Sequence, residues 1–327
     1  MLLSVLLICV LATGCGGKKK KKGSAGKAQR AAGAVCLVTE GGSLEQLLKA
    51  GERVFSRDPQ TAEDCYRRAV EADKTSVLAL YNLGLSQMNQ GKHDPAIENF
   101  EQALVLHPQY GEAYFGMGST LYDKAGPTAA EGQASSHKKL LNRAKSALKK
   151  AVQFSPNYFA AHNALGNVCL GLKDLKGAQQ AYTKVVELNP RAPEGHANLA
   201  RVLVSTGQAA EAVRAVQTAI GLAPDIAAFY LELASVSKAV GQDRLAKRCL
   251  RTAIRLHPRH AGSHYQLGEL LAGSVFSDEK DIPGAMRHLT SAVRLDPSMA
   301  EAYMSLGMLY WGQGQMHRAR DLLRAGG

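Results

Sequence analysis

The stretch VLALYNLGLSQMNQGKHDPAIENFEQALVLHPQY, residues 77–110, decides the fold. Its apolar residues recur at spacings of three and four, which reads as two amphipathic helices. Gly91 breaks the first helix from the second, and Pro108, which can neither donate an N–H nor fit inside a helix, ends the pair. The same 34-residue unit starts again at Gly111, Phe159, Pro193, Ala227, Ala261 and Ala300, after a poorer copy that opens at Ser43. The units are 43–76, 77–110, 111–158, 159–192, 193–226, 227–260, 261–299 and 300–327. Units three and seven carry 14 and 5 extra residues, placed between their two helices. A fixed period of this length signals stacked supersecondary units that bury a continuous core only together.

The recurring positions have physical reasons. Position 8 of each unit is small: Ala50, Gly84, Gly118, Gly166, Ala200, Ala234, Gly268 and Gly307. Position 20 is Ala throughout, from Ala62 and Ala96 to Ala285 and Ala319. Antiparallel helices approach closely only where neither presents bulk, so these two positions are expected to set the hairpin contact. Position 32 is Pro108, Pro156, Pro190, Pro224, Pro258 and Pro297, ending the second helix.

The combined pattern YNLG…A…F…A…P closely resembles the tetratricopeptide repeat (TPR), and the resemblance covers about 285 residues, 43–327. It implies an all-α solenoid, a right-handed superhelix of helix-turn-helix units. The first unit departs most, with Lys49 and Arg53 where Leu and an aromatic are usual and Lys74 in place of the proline. The resemblance also implies that first helices line a concave groove. Positions 2, 5, 9 and 12 share one helical face. The groove residues so expected are Tyr81, Leu85, Met88, Phe115, Tyr122, Asn163, Asn167, Arg201, Leu231, Tyr265, Met304, Met308 and Trp311. Apolar ends around a polar middle suit capture of a protein partner's helix or extended segment. The Lys and Asn set with which some TPR proteins grip C-terminal carboxylates is replaced at positions 5 and 9 of unit two by Tyr81 and Leu85.

The N-terminus is a different kind of sequence. MLLSVLLICVLATGC is apolar for about a dozen residues, too short for the roughly 20 that span a bilayer and suited to a signal peptide. Leu11-Ala12-Thr13-Gly14-Cys15 resembles a bacterial lipobox, which implies a signal peptide at 1–14 and lipid attachment at Cys15. Gly16 in place of Asp points to the outer membrane, facing the periplasm. The segment before the apolar run lacks Lys and Arg, and Lys18 to Lys22 follow the cleavage point, both departures from exported sequences. Residues 15–42 read as a flexible Lys/Gly/Ala-rich tether. Residues 1–42 hold +6 of the formal +12, so the repeat body is only mildly basic.

Catalytic and metal chemistry is not signalled. No Walker A, G-x-S-x-G, H-E-x-x-H or C-x-x-C pattern occurs. His257, His260 and His264 straddle Pro258, and His264 takes the packing position that His162 and His196 hold elsewhere, so no metal site is expected. Of the six cysteines, Cys36 in the tether is the one free to find a partner, with Cys65 a candidate. No cofactor, nucleic acid or small-molecule substrate is expected. Two strongly basic stretches lie in second helices, from His137 and from Asp243. The expectation is a non-catalytic, membrane-anchored interaction scaffold. It resembles envelope TPR lipoproteins that pilot type IV pilus secretins or serve outer-membrane barrel assembly. The alternatives are an adaptor for cell-envelope enzymes or an unlipidated cytoplasmic scaffold.

Overall fold

The computed structural model describes residues 36, 42–126, 128, 133–273 and 281–326. The signal segment, Cys15 and nearly all of the tether lie outside the described residues. Within them sixteen α-helices form eight consecutive hairpins, and no strand occurs. In chain order these are α1 (Leu44–Val54) with α2 (Pro59–Ala72), α3 (Val77–Asn89) with α4 (His93–Leu106), and α5 (Gly111–Ala125) with α6 (Ala134–Phe154). Next come α7 (Phe159–Gly171) with α8 (Leu175–Leu188), and α9 (Pro193–Ser205) with α10 (Ala209–Leu222). The last are α11 (Ala227–Ala239) with α12 (Asp243–Leu256), α13 (Ala261–Ala272) with α14 (Ile282–Leu295), and α15 (Ala300–Gly312) with α16 (Met316–Ala325). The fold is an all-α TPR solenoid.

Five of the eight hairpins, in units two, four, five, six and eight, turn by the same backbone device. The N–H of position 16 donates to the carbonyl of position 11, as in Lys92 to Gln87 (2.9 Å), Gln208 to Leu203 (2.8 Å) and Gln242 to Ser237 (2.8 Å). Such a turn needs a left-handed residue just before it. Gly91, Gly207, Gly241 and Gly314 supply it, but the fourth unit uses Lys173 at φ 58°.

Close packing inside each hairpin centres on position 8. A Cβ added at Gly118 would lie 2.6 Å from the Leu148 side chain, at Gly166 2.6 Å from Tyr182, and at Gly268 2.7 Å from Leu289. The partner of the small residue is therefore the large side chain at position 24. Position 20 contributes its carbonyl, with Ala144 and Ala285 each offering oxygen at 3.3 Å from such a Cβ. The alanines at position 20, such as Ala96, Ala178 and Ala285, are fully buried.

Successive hairpins meet through each second helix and the first helix that follows it. First helices also touch one another, α3 with α5, α5 with α7, α9 with α11 and α13 with α15, whereas no pair of second helices meets as extensively among the described residues. The first helices therefore lie on the inside of the bend. The bend itself is tied in four consecutive units. His162 Nε2 donates to the Pro156 carbonyl, His196 Nε2 to Pro190, Tyr230 Oη to Pro224 and His264 Nε2 to Pro258, at 2.9–3.1 Å.

Two features depart from a plain array. The 14 extra residues of unit three were expected in the turn, but part of them lengthens α6 to 21 residues, against 14 in α4 or α8. An alanine- and lysine-rich run favours helix there. At the other end, Cys36 and Cys65 form a disulfide with Cα atoms 5.2 Å apart. Cys36 is buried against Leu47, Cys65 and Ala69, its N–H donates to Asp64 Oδ2 at 3.4 Å, and its carbonyl accepts from Arg68 at 3.3 Å. This residue of the tether is thus part of the first hairpin.

Candidate functional site

The inner surface is built from first helices, and its centre is a chain of polar side chains. Asn198 Nδ2 on α9 donates to Asn163 Oδ1 on α7 at 3.0 Å, and Arg201 donates in turn to Asn198 Oδ1. One turn away, the buried Tyr182 hydroxyl donates to Asn167 Oδ1 at 2.6 Å. Burial pushes the hydroxyl pKa values of Tyr122 and Tyr182 up, and the nearby Arg201 guanidinium opposes the shift at both. Burial likewise raises the Glu232 carboxyl on α11, and Arg201 again works against it. Arg201 therefore stands, exposed, among two tyrosines and a carboxylate, with its guanidinium held by Asn198. Such a group presents several donors in fixed directions, as needed to meet a peptide carbonyl or carboxylate.

The other expected groove residues divide by how much of them the next unit covers. Tyr81 lies edge-on to Tyr110 at 5.1 Å and tilted against Phe100 at 6.0 Å; Phe115 lies edge-on to Tyr158 at 4.9 Å. Tyr110 and Tyr158 are the residues just before α5 and α7, so position 5 packs on the entry to the following unit. Leu85 and Met88 are half-buried against the same core, and Leu231 is half-buried against the core around α11. Tyr265 is half-buried, and burial raises its hydroxyl pKa while Ser305 on α15 opposes the shift. Met304, Met308 and Trp311 hold the same positions in the last described unit and are 48%, 67% and 60% exposed. The geometry thus brings Tyr122, Asn163, Asn167 and Arg201 together, while Tyr81, Leu85, Met88 and Phe115 form contacts between units.

Asn198 and Glu232 were not among the expected residues. Both occupy position 6, one turn from positions 2 and 9, and the polar run Asn82, Asn198, Glu232 was the signal that could have found them. Among the described residues, no group of three or more His, Cys, Asp or Glu could hold a metal ion, and no helix is long and apolar enough to cross a membrane.

Tetratricopeptide repeat family models match residues 77–110, 170–232 and 270–326. The matched segments are tetratricopeptide repeats. TPR proteins are typically non-catalytic scaffolds that bind protein partners. Among curated proteins, the small glutamine-rich tetratricopeptide repeat-containing protein 2 of Mycosarcoma maydis is 32% identical over 79 residues, 24% of this chain and 22% of that protein. The photosystem I assembly protein Ycf3 of Acaryochloris marina is 27% identical over 88 residues, 27% of this chain and 52% of that one. The chain thus matches about a fifth of one relative's length and half of the other's. Two solved structures share the fold at 20% identity. PilF of Pseudomonas aeruginosa has a TM-score of 0.55 over 66% of this chain and 92% of its own. YrrB, described as a TPR protein with an unusual peptide-binding site, has a TM-score of 0.52 over 62% of this chain and 96% of its own.

Proposed function

We propose that the protein is a non-catalytic scaffold, held at a bacterial membrane through Cys15, that captures a segment of a protein partner in its inner groove. In this reading it aids assembly of an envelope complex, such as a type IV pilus secretin or outer-membrane machinery. The observation that carries the capture step is the linked set Asn163, Asn198 and Arg201, which holds an exposed guanidinium in place by side chains from two successive units. A fixed polar centre orients a partner's main chain or an acidic side chain without first ordering its own groups. Two similar proteins point the same way: Ycf3 is a photosystem I assembly protein, and YrrB is a TPR protein with an unusual peptide-binding site.

Export is supported by the Cys36–Cys65 disulfide, because such bonds persist in the periplasm and other oxidising compartments and are rare in the reducing cytosol. The lipobox-like run ending at Cys15 supplies the anchor in this proposal. The test is in-cell crosslinking from a photoreactive residue at Tyr122, with the trapped protein identified by mass spectrometry. A secretin or barrel-assembly subunit is the expected catch. A peptidoglycan hydrolase would turn the assembly factor into an enzyme adaptor, and exclusively cytoplasmic partners would overturn export. Loss of membrane association in Cys15→Ala checks the anchor separately.

A further inference from the structure

The outer side of unit six carries a notch that the groove does not use. It encloses about 210 Å³ between α10, α11 and α12. Leu233 and the free thiol Cys249, both buried, lie at its base; Ile220, Tyr230 and Leu245 are half-buried around it; Arg248 is exposed at its edge. In unit seven two imidazoles meet at the equivalent positions. There the residue aligned with Cys249 is His288, whose imidazole meets that of His264 with ring centroids 5.3 Å apart. Unit six has the smaller thiol in place of that ring, and Tyr230, like His264, bonds the proline carbonyl six residues back, at 3.1 Å. A space of this size is smaller than the roughly 300–1,000 Å³ of small-molecule sites and suits one large side chain.

The charge around the notch is a second, independent observation. After Asp243, α12 has no acidic residue, and Lys247, Arg248, Arg251 and Arg255 share it with Arg244. On α10, Arg214 follows Glu211 and no acid comes after it. Among the described residues the ion pairs fall between Glu45 and Glu187, and none of them takes up Arg248, Arg251 or Arg255. Arg248 thus borders the apolar recess, with Arg251 and Arg255 one and two turns further along α12. Nucleic acid and lipid headgroups would engage the cations but have no use for a single walled apolar recess of this size. An acidic peptide with one buried anchor uses both.

We propose that this notch is a second docking site, which takes one large apolar side chain of a protein partner whose flanking residues are acidic. The apolar anchor fills the recess over Leu233 and Cys249, and the flanking carboxylates pair with Arg248, Arg251 and Arg255. Anchors of this kind carry most of an interface's binding energy, while the charged rim governs encounter and register. The site lies on the outside of the solenoid, so a partner there and a segment in the groove can be held at once.

The test uses the repeat-containing chain and a fluorescently labelled nonapeptide of alternating Asp and Glu around a central Phe, followed by fluorescence anisotropy at low ionic strength. The Phe→Ala form of that peptide is expected to bind at least about tenfold more weakly, a difference of about 1.4 kcal/mol. Arg248→Glu is expected to weaken the Phe peptide by a similar factor, while the groove variant Tyr122→Ala leaves it unchanged. Filling the recess with Cys249→Met should abolish the preference for Phe over Ala; because Cys249 is buried, Arg248→Glu and the two peptides decide the matter if that variant unfolds. Equal binding of the Phe and Ala peptides overturns the proposal. So does tighter binding of oligothymidylate or phosphatidylglycerol vesicles that is lost in Arg248→Glu, which would assign the face to nucleic acid or lipid. Loss of peptide binding in Tyr122→Ala would place the peptide in the groove and overturn the second site while leaving the first intact.

Discussion

His162 donates from Nε2 to the carbonyl oxygen of Pro156 at 2.9 Å, six residues back and across the bend between two repeats. The proline ends one helix and its carbonyl would otherwise lack a partner at the turn; the imidazole supplies one from the start of the next helix. His196, Tyr230 and His264 repeat the arrangement, so four successive junctions are tied by side chains rather than by backbone alone. His162→Leu keeps an apolar body at this position and removes the donor. It is expected to cost about 0.5–1.5 kcal/mol, the usual net worth of one hydrogen bond. Urea denaturation measures the loss, and His162→Leu matching the parent chain would show the tie to be without energetic weight.

Lys173 sits at φ 58°, where other units place glycine. A left-handed conformation costs a residue with a Cβ about 1 kcal/mol or more, whereas added freedom of the unfolded chain makes glycine unfavourable by somewhat less. Lys173→Gly is therefore expected to be neutral or to stabilise by up to about 1 kcal/mol, and Lys173→Val to destabilise by more than that. The sign of the difference between the two variants, read from thermal melts, is the decisive quantity.

Glu63 is a carboxylate with a 5% exposed side chain, held by Lys92 at 2.6 Å and Arg67 at 3.0 Å. Gln90 adds a hydrogen bond at 2.9 Å. Burial alone would push its pKa up; the bonds from Lys92 and Gln90 outweigh burial and hold it below the ordinary 4.5. A depressed carboxyl stabilises the fold above its unfolded pKa and loses that contribution as pH falls through the folded one. Glu63→Gln should therefore destabilise the chain at pH 7, and the gap to the parent should narrow as pH drops below about 4.5. Because Lys92 and Arg67 are themselves 40% and 47% exposed and rehydrate readily, the cost at pH 7 is expected near 1–3 kcal/mol, not the larger penalty of a stranded buried charge. Denaturation midpoints of both chains at pH 7 and pH 4 give the answer.

The disulfide between Cys36 and Cys65 spans 29 residues of sequence. Closing a loop of that size is worth about 3–4 kcal/mol in the chain-entropy account. Cys65→Ser should raise hydrogen exchange in α1 and α2 while leaving α7 to α12 unchanged, since units of a solenoid interact only with their neighbours. Uniform exchange along the whole array would contradict this local picture.

The fold was legible because the period repeats eight times and the same residue types fall at the same positions. Gly84 and Ala96 could be read as a close contact from spacing alone, although which bulky residue faces the glycine could not. The groove was only partly legible for a related reason. Position 5 serves two ends, lining the inner surface and packing on the residue that opens the next unit. Tyr81 and Phe115 meet tyrosines at 110 and 158, so their rings turn toward the neighbour. Where that entry residue is Ala192 no ring is available, and Asn163 bonds Asn198 instead. Such a choice depends on a residue roughly thirty places away, which helical periodicity does not register.

The bond at Cys36 also fixes how mechanical load would travel. Tension on the chain ahead of Cys36 passes through the sulfur bridge into Cys65, in the middle of α2, and bypasses residues 37–64. Helix α1 then lies outside the force path, shielded from peeling, and a pull must shear α2 from its neighbours rather than unzip the array from its first residue. Reduction of the bridge would hand the load to α1, the helix at the end of the described array. The oxidised protein is in this sense a hook with its attachment point set one helix inward.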